Sequence, residues 1–160
     1  MQISVPAETT PNERRVALIP DITKKLVRAG FEVVVQSGSG QQAGFSDETY
    51  TEAGASISTD RASLLAQGDI VLRVRKPDAD EVGQLKQGAI HVSYLDPYNE
   101  RELVDTLAKH GVSAISMEMI PRTTRAQKMD ALSSQANLAG YVMVLLAAEK
   151  LDRILPMMMT

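Results

Sequence analysis

The sequence predicts a doubly wound α/β domain, in which helices cover both faces of a parallel β-sheet. Short apolar runs alternate with stretches of helical spacing along the whole chain, and strands that alternate with helices form parallel sheets. The apolar runs are continuous rather than alternating, as expected for strands buried on both faces. Glycines such as Gly30 and Gly111 follow the helical stretches, where helices commonly end. These three observations favour a flavodoxin-like or Rossmann-like lobe.

Five strands are predicted, namely Gln2–Val5, Phe31–Gln36, Asp69–Val74, Gly88–Leu95 and Val112–Met117. Six helices are predicted, the first running from an N-cap at Asp21 to Gly30 and the others over Asp47–Ala53, Ala62–Gln67, Asp80–Leu85, Asn99–Gly111 and Leu132–Lys150. The fifth helix has the clearest signals. Asn99 is a suitable N-cap, Glu102 is its capping-box partner and Gly111 is a suitable stop.

The composition is that of one globular domain over residues 1–160. Hydrophobic residues make up 44% and charged residues 23%, and the formal net charge is −3. Without a basic run, nucleic acid is not expected as a partner. The absence of cysteine excludes disulfides and thiolate metal sites. The first residues contain neither a basic nor an apolar leader segment, which predicts a cytosolic location.

The last helix, residues 132–150, is apolar on all sides. Such a helix avoids water, so we expect it to be buried, either inside the domain or against another one. Its longest wholly apolar run, Val142–Ala148, is far shorter than the roughly 20 residues that span a bilayer. The methionines Met157–Met159 would be unusual at a free terminus, which predicts that the natural protein continues beyond Thr160.

One glycine-rich segment, Ser37–Gly44, fits the dinucleotide-binding pattern G-x-G-x-x-A. That pattern must open a helix whose N-terminus holds a pyrophosphate, and Gln41–Ser46 shows no helical spacing. The segment is therefore interpreted as a glycine-rich turn. His91 is interpreted as a packed or half-exposed strand residue and His110 as a cation at a helix end. No metal is implied.

Charged residues follow two predicted strands. They are Glu13, Arg14 and Arg15 after the first strand, and Arg73, Arg75 and Lys76 at the end of Asp69–Val74. Ligands of parallel sheets bind at the carboxyl ends of strands, so the first group either meets an anion or is solvated loop charge. The second group is either a cationic rim or the polar end of its strand.

The densest polar segment is Pro121–Asn137, between the last strand and the long helix. It predicts a binding loop at the edge of the crevice. A purely structural alternative has Arg122 pairing with Asp130, Ser133 capping the helix, and Gln135 and Asn137 satisfying backbone groups.

Residues Pro121–Tyr141 read Pro-Arg-x-x-Arg-Ala-Gln-x-Met-Asp-x-Leu-Ser-Ser-Gln-Ala-Asn-x-Ala-Gly-Tyr. This pattern resembles the signature of the NAD-binding domain of proton-translocating NAD(P) transhydrogenases. Glu13–Pro20, Ser37–Gly40 and Asp69–Pro77 resemble the same family, which is shared with alanine dehydrogenases. The likeness covers essentially the whole chain. It implies the first lobe of a two-lobed subunit, with the second nucleotide-binding lobe absent from this chain.

The resemblance also implies a site and a reaction. Four residues match the polar groups around the nicotinamide end of NAD(H), namely Arg122, Gln127, Asp130 and Ser133. The backbone of Lys128, Met129, Asp130 and Ala131 would lie along the cofactor. The implied reaction is hydride transfer from NADH to NADP(H) bound on a partner subunit, coupled to proton translocation, with Arg122, Gln127 and Asp130 at the reacting groups and no metal.

Further expectations concern partners and location. The resemblance implies membrane-spanning and NADP-binding partner subunits, a homodimer, and a cytoplasmic protein held at the inner membrane by those partners. The 160-residue chain alone is expected to be inactive.

Two alternatives remain open. An alanine dehydrogenase-like enzyme would by likeness have a substrate-binding lysine where Arg75 stands and a catalytic histidine where Asp96 stands, although Arg15 matches its carboxylate-binding arginine. Without an imidazole to move a proton, that reaction is disfavoured. The chain could also be a non-catalytic dimerisation or docking lobe, with Leu138–Ala148 as its contact face.

Overall fold

The computed structural model describes residues 1–153 and confirms the predicted fold class. Six parallel strands lie in the order β3-β2-β1-β4-β5-β6, which is the order of the Rossmann fold. The strands are β1 Gln2–Val5, β2 Glu32–Gln36, β3 Ser56–Ser58, β4 Ile70–Arg75, β5 Ile90–Tyr94 and β6 Ser113–Ser116. The helices are α1 Pro20–Arg28, α2 Asp47–Glu52, α3 Arg61–Gln67, α4 Ala79–Val82, α5 Arg101–Lys109 and α6 Ala131–Lys150. The residues divide into two compact units, Met1–Ser116 and those from Met117 onward, so a single domain over 1–160 stays a prediction.

Two apolar clusters show that both faces of the sheet are covered. Ile3 and Val5 of β1 share one cluster with side chains of β2 and α1. Val71 of β4 belongs to the other cluster, together with side chains of α3, α4 and α5. Because successive side chains of a strand point to opposite faces, a strand covered on both sides needs the continuous apolar runs seen in the sequence.

The structure corrects several predicted boundaries. Strand β3 was not predicted, because Ser56–Ser58 is too short to show a pattern. Asp21 lies in the first turn of α1, and the residue at the N-cap position is Ile19. Asn99 does not cap α5, which begins after Glu100. Its side-chain amide instead donates to the Asp96 carboxylate at 3.0 Å.

The predicted helix Asp80–Leu85 is only the single turn Ala79–Val82. Its N-cap is Asp78, which forms a capping box with Glu81. Since the capping residue lies two positions before the predicted start, the helix begins earlier than apolar spacing alone indicates.

A buried ion-pair network lies on the face of the sheet that α3 and α4 cover. The Arg73 side chain is 1% exposed and pairs with Glu81 of α4. The guanidinium of Arg61 in α3 contacts the other oxygen of the same carboxylate at 2.6 Å. Burial raises the pKa of Glu81, but the charges and hydrogen bonds of Arg73 and Arg61 outweigh this effect and hold its pKa below the usual value. The network also reaches the segment after β1, because Arg61 donates to the Ala7 carbonyl at 2.8 Å.

Close packing constrains the glycine-rich turn. The Tyr50 hydroxyl is buried and donates to the Leu18 carbonyl at 2.8 Å. A Cβ atom on Gly40 would lie 2.6 Å from the Tyr50 ring and 2.9 Å from the Phe45 carbonyl oxygen. Glycine at position 40 is therefore required by packing against Tyr50.

The last helix is not buried inside the residues described, whereas its burial against another domain stays a prediction. No residue of α6 is buried, because the rest of its unit, up to Arg153, consists of loops and two short 3₁₀ turns. By length and composition alone, α6 could cross a membrane, with a mean hydropathy of 1.3 over 18 residues. The apolar segment formed by the helix as a whole is thus longer than its longest wholly apolar run, Val142–Ala148, indicated. The methionine run lies outside the described residues.

The buried position of His91 predicts that the folded protein loses stability at acidic pH. Burial, and then the charge of Arg73, lower its pKa to about 4, and Glu81 opposes this shift only in part. The folded protein keeps His91 neutral, whereas the unfolded chain binds a proton below pH 6.5. Stability should therefore fall by up to about 3 kcal/mol between about pH 6.5 and about pH 4. Urea unfolding of wild type and His91→Gln across this pH range measures the free energy of unfolding. The slope of this free energy against pH should flatten in the variant. His110→Gln is the control, and a slope unchanged by His91→Gln would contradict the prediction.

Candidate functional site

The carboxyl ends of β1 and β4 meet where the strand order reverses, which is the usual ligand crevice of such a sheet. Here several ion pairs and hydrogen bonds of the chain itself lie at these strand ends. Glu13 accepts from the Arg15 guanidinium at 2.7 Å and from Arg75 Nε at 2.8 Å. These hydrogen bonds, chiefly those of Arg15, lower the pKa of Glu13 to about 2. Glu8 accepts from the backbone N–H groups of Val74 and Arg75 at 2.6 and 3.1 Å.

Arg75, the exposed last residue of β4, and Lys76 agree with the alternative of a polar strand end, whereas Arg73 fits neither alternative. Arg73 is buried and paired with Glu81, so it does not belong to a rim. Arg75 pairs with Glu13, and Lys76 pairs with Glu100. The sequence could not show these partners, because they come from the segment after β1, from α4 and from the residue before α5.

The glycine-rich turn is not built to hold a phosphate. The Asp47 carboxylate accepts from the backbone N–H of Gly38 at 2.9 Å and from the Ser37 hydroxyl at 2.7 Å. The next element along the chain is a single 3₁₀ turn, Gln41–Ala43, rather than a helix. A carboxylate bound to the turn repels a pyrophosphate, and a helix dipole that would attract one is lacking at this turn. The interpretation as a glycine-rich turn agrees with this geometry.

The two histidines have structural surroundings. His91 is fully buried, which agrees with the packed and not with the half-exposed alternative. His110 follows the last turn of α5, and its Nε2 lies 2.9 Å from the Leu85 carbonyl oxygen. Within residues 1–153, no group of three His, Asp or Glu side chains is placed to hold a metal ion.

The polar segment before α6 forms a cleft of about 350 Å³. Its lining residues are Arg122, Thr123, Thr124, Gln127, Asp130 and Ser133. The structure thus brings the four predicted side chains of the nicotinamide site together. Thr123 and Thr124 were missed by sequence reasoning, although their place between Arg122 and Gln127 was the available signal.

Local turns position these side chains. The Ala126 N–H donates to the Thr123 carbonyl at 3.0 Å, and the Met129 N–H donates to the Ala126 carbonyl at 2.8 Å. Ala126 is 6% exposed and anchors the loop. Residues Gln127–Met129 form a 3₁₀ turn that leads directly to Asp130 at the N-cap of α6.

Asp130 is the N-cap of α6 and a partner of Ser133 through both carboxylate oxygens. Oδ1 accepts from the Ser133 N–H at 2.9 Å, and Oδ2 accepts from the Ser133 hydroxyl at 2.6 Å. These bonds, and then the charge of Arg122, hold the pKa of Asp130 below its usual value. The alternative in which Ser133 caps the last helix is therefore wrong in this detail, because Asp130 supplies the cap.

The other predicted binding residues lie beside the cleft. Lys128 and Met129 belong to the 3₁₀ turn and are exposed. Ala131 is the first residue of α6 and is half-buried.

The fold and the cleft define a Rossmann-type α/β domain followed by a charged loop and an exposed apolar helix. The family model described as alanine dehydrogenase/PNT, N-terminal domain, matches residues 4–139. The chain belongs to this family, and the resemblance of Pro121–Tyr141 and the earlier motifs is confirmed.

Three comparisons describe the likeness. The first portion of the NAD(P) transhydrogenase alpha subunit of Rhodospirillum rubrum is 44% identical over 100% of this chain and 43% of its own length. Alanine dehydrogenase of Halomonas elongata is 35% identical over 96% of this chain and 41% of its own length. The structure of a transhydrogenase from Sinorhizobium meliloti superposes with a TM-score of 0.92 at 44% identity, over 100% of this chain and 48% of that chain. The chain thus spans less than half the length of these relatives.

The capping role of Asp130 yields a stability prediction. Asp130→Ala removes the acceptor of the first turn of α6 and should lower the melting temperature by roughly 2–4 °C, whereas Asp130→Asn, an equally good N-cap, should not. Because the folded-state pKa of Asp130 is lowered, the advantage of aspartate over alanine should shrink at acidic pH, as the carboxylate becomes protonated. Thermal melts followed by circular dichroism measure both effects. Equal melting temperatures for wild type and Asp130→Ala at neutral pH would rule out the cap.

Proposed function

We propose that this chain is the first lobe of the NAD(H)-binding alpha subunit of a proton-translocating NAD(P) transhydrogenase. The observation that supports this most strongly is the 44% identity to a transhydrogenase alpha subunit over the whole chain. On this proposal, the complete enzyme transfers a hydride from NADH to NADP bound on a partner subunit. The 160-residue chain alone is inactive.

The residues of the cleft fit the nicotinamide end of NAD(H). A carboxamide has one acceptor oxygen and two N–H donors. Arg122 supplies only donors, and Asp130 supplies only acceptors when ionised. Both line the same cleft, so the carboxamide finds complementary partners there. The bound dinucleotide supplies the hydride, and the protein supplies no redox group.

Positioning is the main task of these side chains. Hydride transfer between two nicotinamides needs no general acid at the reacting carbons, but it needs them roughly 3–3.5 Å apart. Arg122 and Asp130 restrict rotation of the first nicotinamide, and Gln127 reaches toward the second nucleotide. Backbone groups of Lys128, Met129 and Ala131 lie along the cofactor in this arrangement.

Partners and location follow from the same proposal. Membrane-spanning and NADP-binding subunits hold the protein at the cytoplasmic side of the inner membrane, and two copies form a homodimer. The exposed apolar surface of α6 supports a protein contact, because a monomer rarely exposes a large continuous apolar patch.

The alternative of an alanine dehydrogenase has less support. The chain is 35% identical to one such enzyme, but Arg75 and Asp96 stand where the resemblance requires lysine and histidine. Arg15 and Arg75 are both bound to Glu13, which competes with any substrate carboxylate. Alanine dehydrogenase activity is therefore the weaker proposal.

The reaction is tested with the full-length subunit that contains this sequence, combined with its partner subunits. NADH and NADP should give hydride transfer. Pyruvate, ammonia and NADH should give no alanine, because no imidazole stands at the β5 end to move the proton. Both reactions are followed by absorbance of the nicotinamides and by amino-acid analysis. Alanine formation without transfer to NADP would overturn the proposal.

The role of Gln127 is tested by Gln127→Ala in the same assembly. If Gln127 orients the second nucleotide, its loss should lower the rate of hydride transfer about 100-fold, because misplacement by an ångström costs that much. NADH binding should change little. Gln42→Ala is a matched control at an exposed glutamine of the 3₁₀ turn Gln41–Ala43. Equal rates per folded molecule in both variants would refute an orienting role.

A further inference from the structure

Two arginine side chains converge on one carboxylate at the carboxyl end of the sheet. Arg15 Nε and Nη2 donate to different oxygens of Glu13, both at 2.7 Å, which is the bidentate geometry of a guanidinium with a carboxylate. Arg75 Nε also donates to Oε2 at 2.8 Å, and the Arg15 backbone N–H donates to Oε1 at 3.1 Å. The Glu13 side chain is only 4% exposed, so these donors replace most of the water around its carboxylate.

Both arginines have further contacts that hold them in place. Arg75 is the last residue of β4, pairs in register with Tyr94 of β5, and donates its backbone N–H to Glu8 at 3.1 Å. The Arg15 guanidinium lies 5.9 Å from the centroid of the Tyr94 ring, within range of a cation–π contact. The two cations should therefore remain close together when the carboxylate between them is exchanged. Their side chains are 40% and 49% exposed, so the space between them can be reached from solvent.

A tight turn brings Glu13 to these arginines. Strand β1 ends at Val5, and the Glu13 backbone N–H donates to the Thr10 carbonyl at 3.1 Å. Asn12, just before Glu13, adopts the left-handed backbone conformation with φ of 66°, which asparagine tolerates better than most residues. The carboxylate therefore reaches the guanidinium groups from a loop that follows the strand.

We propose that Glu13 occupies, from within the chain, a binding site for the carboxylate of a small organic acid and thereby excludes such acids from this crevice. The donors contact only the carboxylate oxygens, so they fit a free acid as well as they fit Glu13. A free acid must give up translational and rotational freedom to bind, whereas Glu13 is attached to the chain and competes at a high effective concentration. Because the pKa of Glu13 is about 2, its carboxylate is ionised at neutral pH and the site stays filled.

The occupied site is tested by chemical rescue of Glu13→Ala in the full-length subunit that contains this sequence. This substitution removes a methylene and a carboxylate, which are together the size of acetate. It should lower the melting temperature by roughly 3–6 °C, because hydrogen bonds to a charged group are lost. About 100 mM sodium acetate should restore at least half of this loss, with a dissociation constant on the order of 10 mM, and pyruvate should act in the same way.

Glu13→Gln distinguishes an open site from a lost charge. Glutamine has the shape of glutamate without its charge, so it weakens the contacts with Arg15 and Arg75 but still fills the space between them. Its melting temperature should fall, and acetate should not restore it. Wild type, whose site is filled, measures the general effect of each salt. Glu52→Ala removes one charge from an exposed position of α2 and should respond to acetate as wild type does.

Acetamide, the neutral counterpart of acetate, is the control ligand and should not stabilise Glu13→Ala. Rescue of Glu13→Ala by acetate and pyruvate, beyond their effect on wild type, would support the internal occupant. Equal responses of Glu13→Ala and Glu13→Gln would overturn it, and so would a Glu13→Ala variant that stays unfolded at every acetate concentration. Saturable stabilisation of wild type by acetate would also overturn it, because the site would then be open. Each readout is a melting temperature, so these outcomes are independent of whether the complete enzyme transfers hydride to NADP.

Discussion

A parallel sheet covered on both faces leaves its central strands without water, so every polar side chain there needs a partner inside the protein. Two side chains of the first unit illustrate this constraint. Ser4 of β1 donates to the Leu64 carbonyl of α3 at 2.9 Å, and Arg73 of β4 shares Glu81 with Arg61. Removing one member of such a network leaves a buried charge, which is costly. Because Arg61 contacts both Glu81 and the Ala7 carbonyl, the network also holds the segment after β1 and the short helix α4 in place.

Much of the fold could be predicted because its strongest signals are local. Continuous apolar runs located the five longer strands, and helical spacing located the helices between them. Predictions failed where the deciding contact is remote in sequence or depends on the backbone. Asn99 looks like an N-cap, but its amide is bound to Asp96, which adopts a left-handed backbone conformation with φ of 51°. The partner of Arg73 likewise depends on how α4 packs, which no spacing in the sequence specifies.

The residues of the cleft could be predicted together because Arg122 and Ser133 lie close in sequence, on one loop and the first turn of one helix. The separate roles of Asp130 and Ser133 could not be predicted. A sequence pattern does not show whether Asp130 or Ser133 supplies the cap, nor in which direction their hydrogen bond runs. The exposure of α6 was also beyond prediction, because an all-round apolar helix indicates a covering surface without identifying the element that provides it.

The close approach of Gly40 to Tyr50 affects how a comprehensive survey of substitutions would look. Any larger residue at position 40 must displace the Tyr50 ring or the Phe45 carbonyl, and Tyr50 secures the chain at Leu18. Position 40 would then rank among the least tolerant in the protein, in the middle of a motif that resembles a phosphate-binding loop. Such intolerance would result from packing against the Tyr50 ring. A survey of substitutions alone could not distinguish it from the intolerance that nucleotide binding would cause.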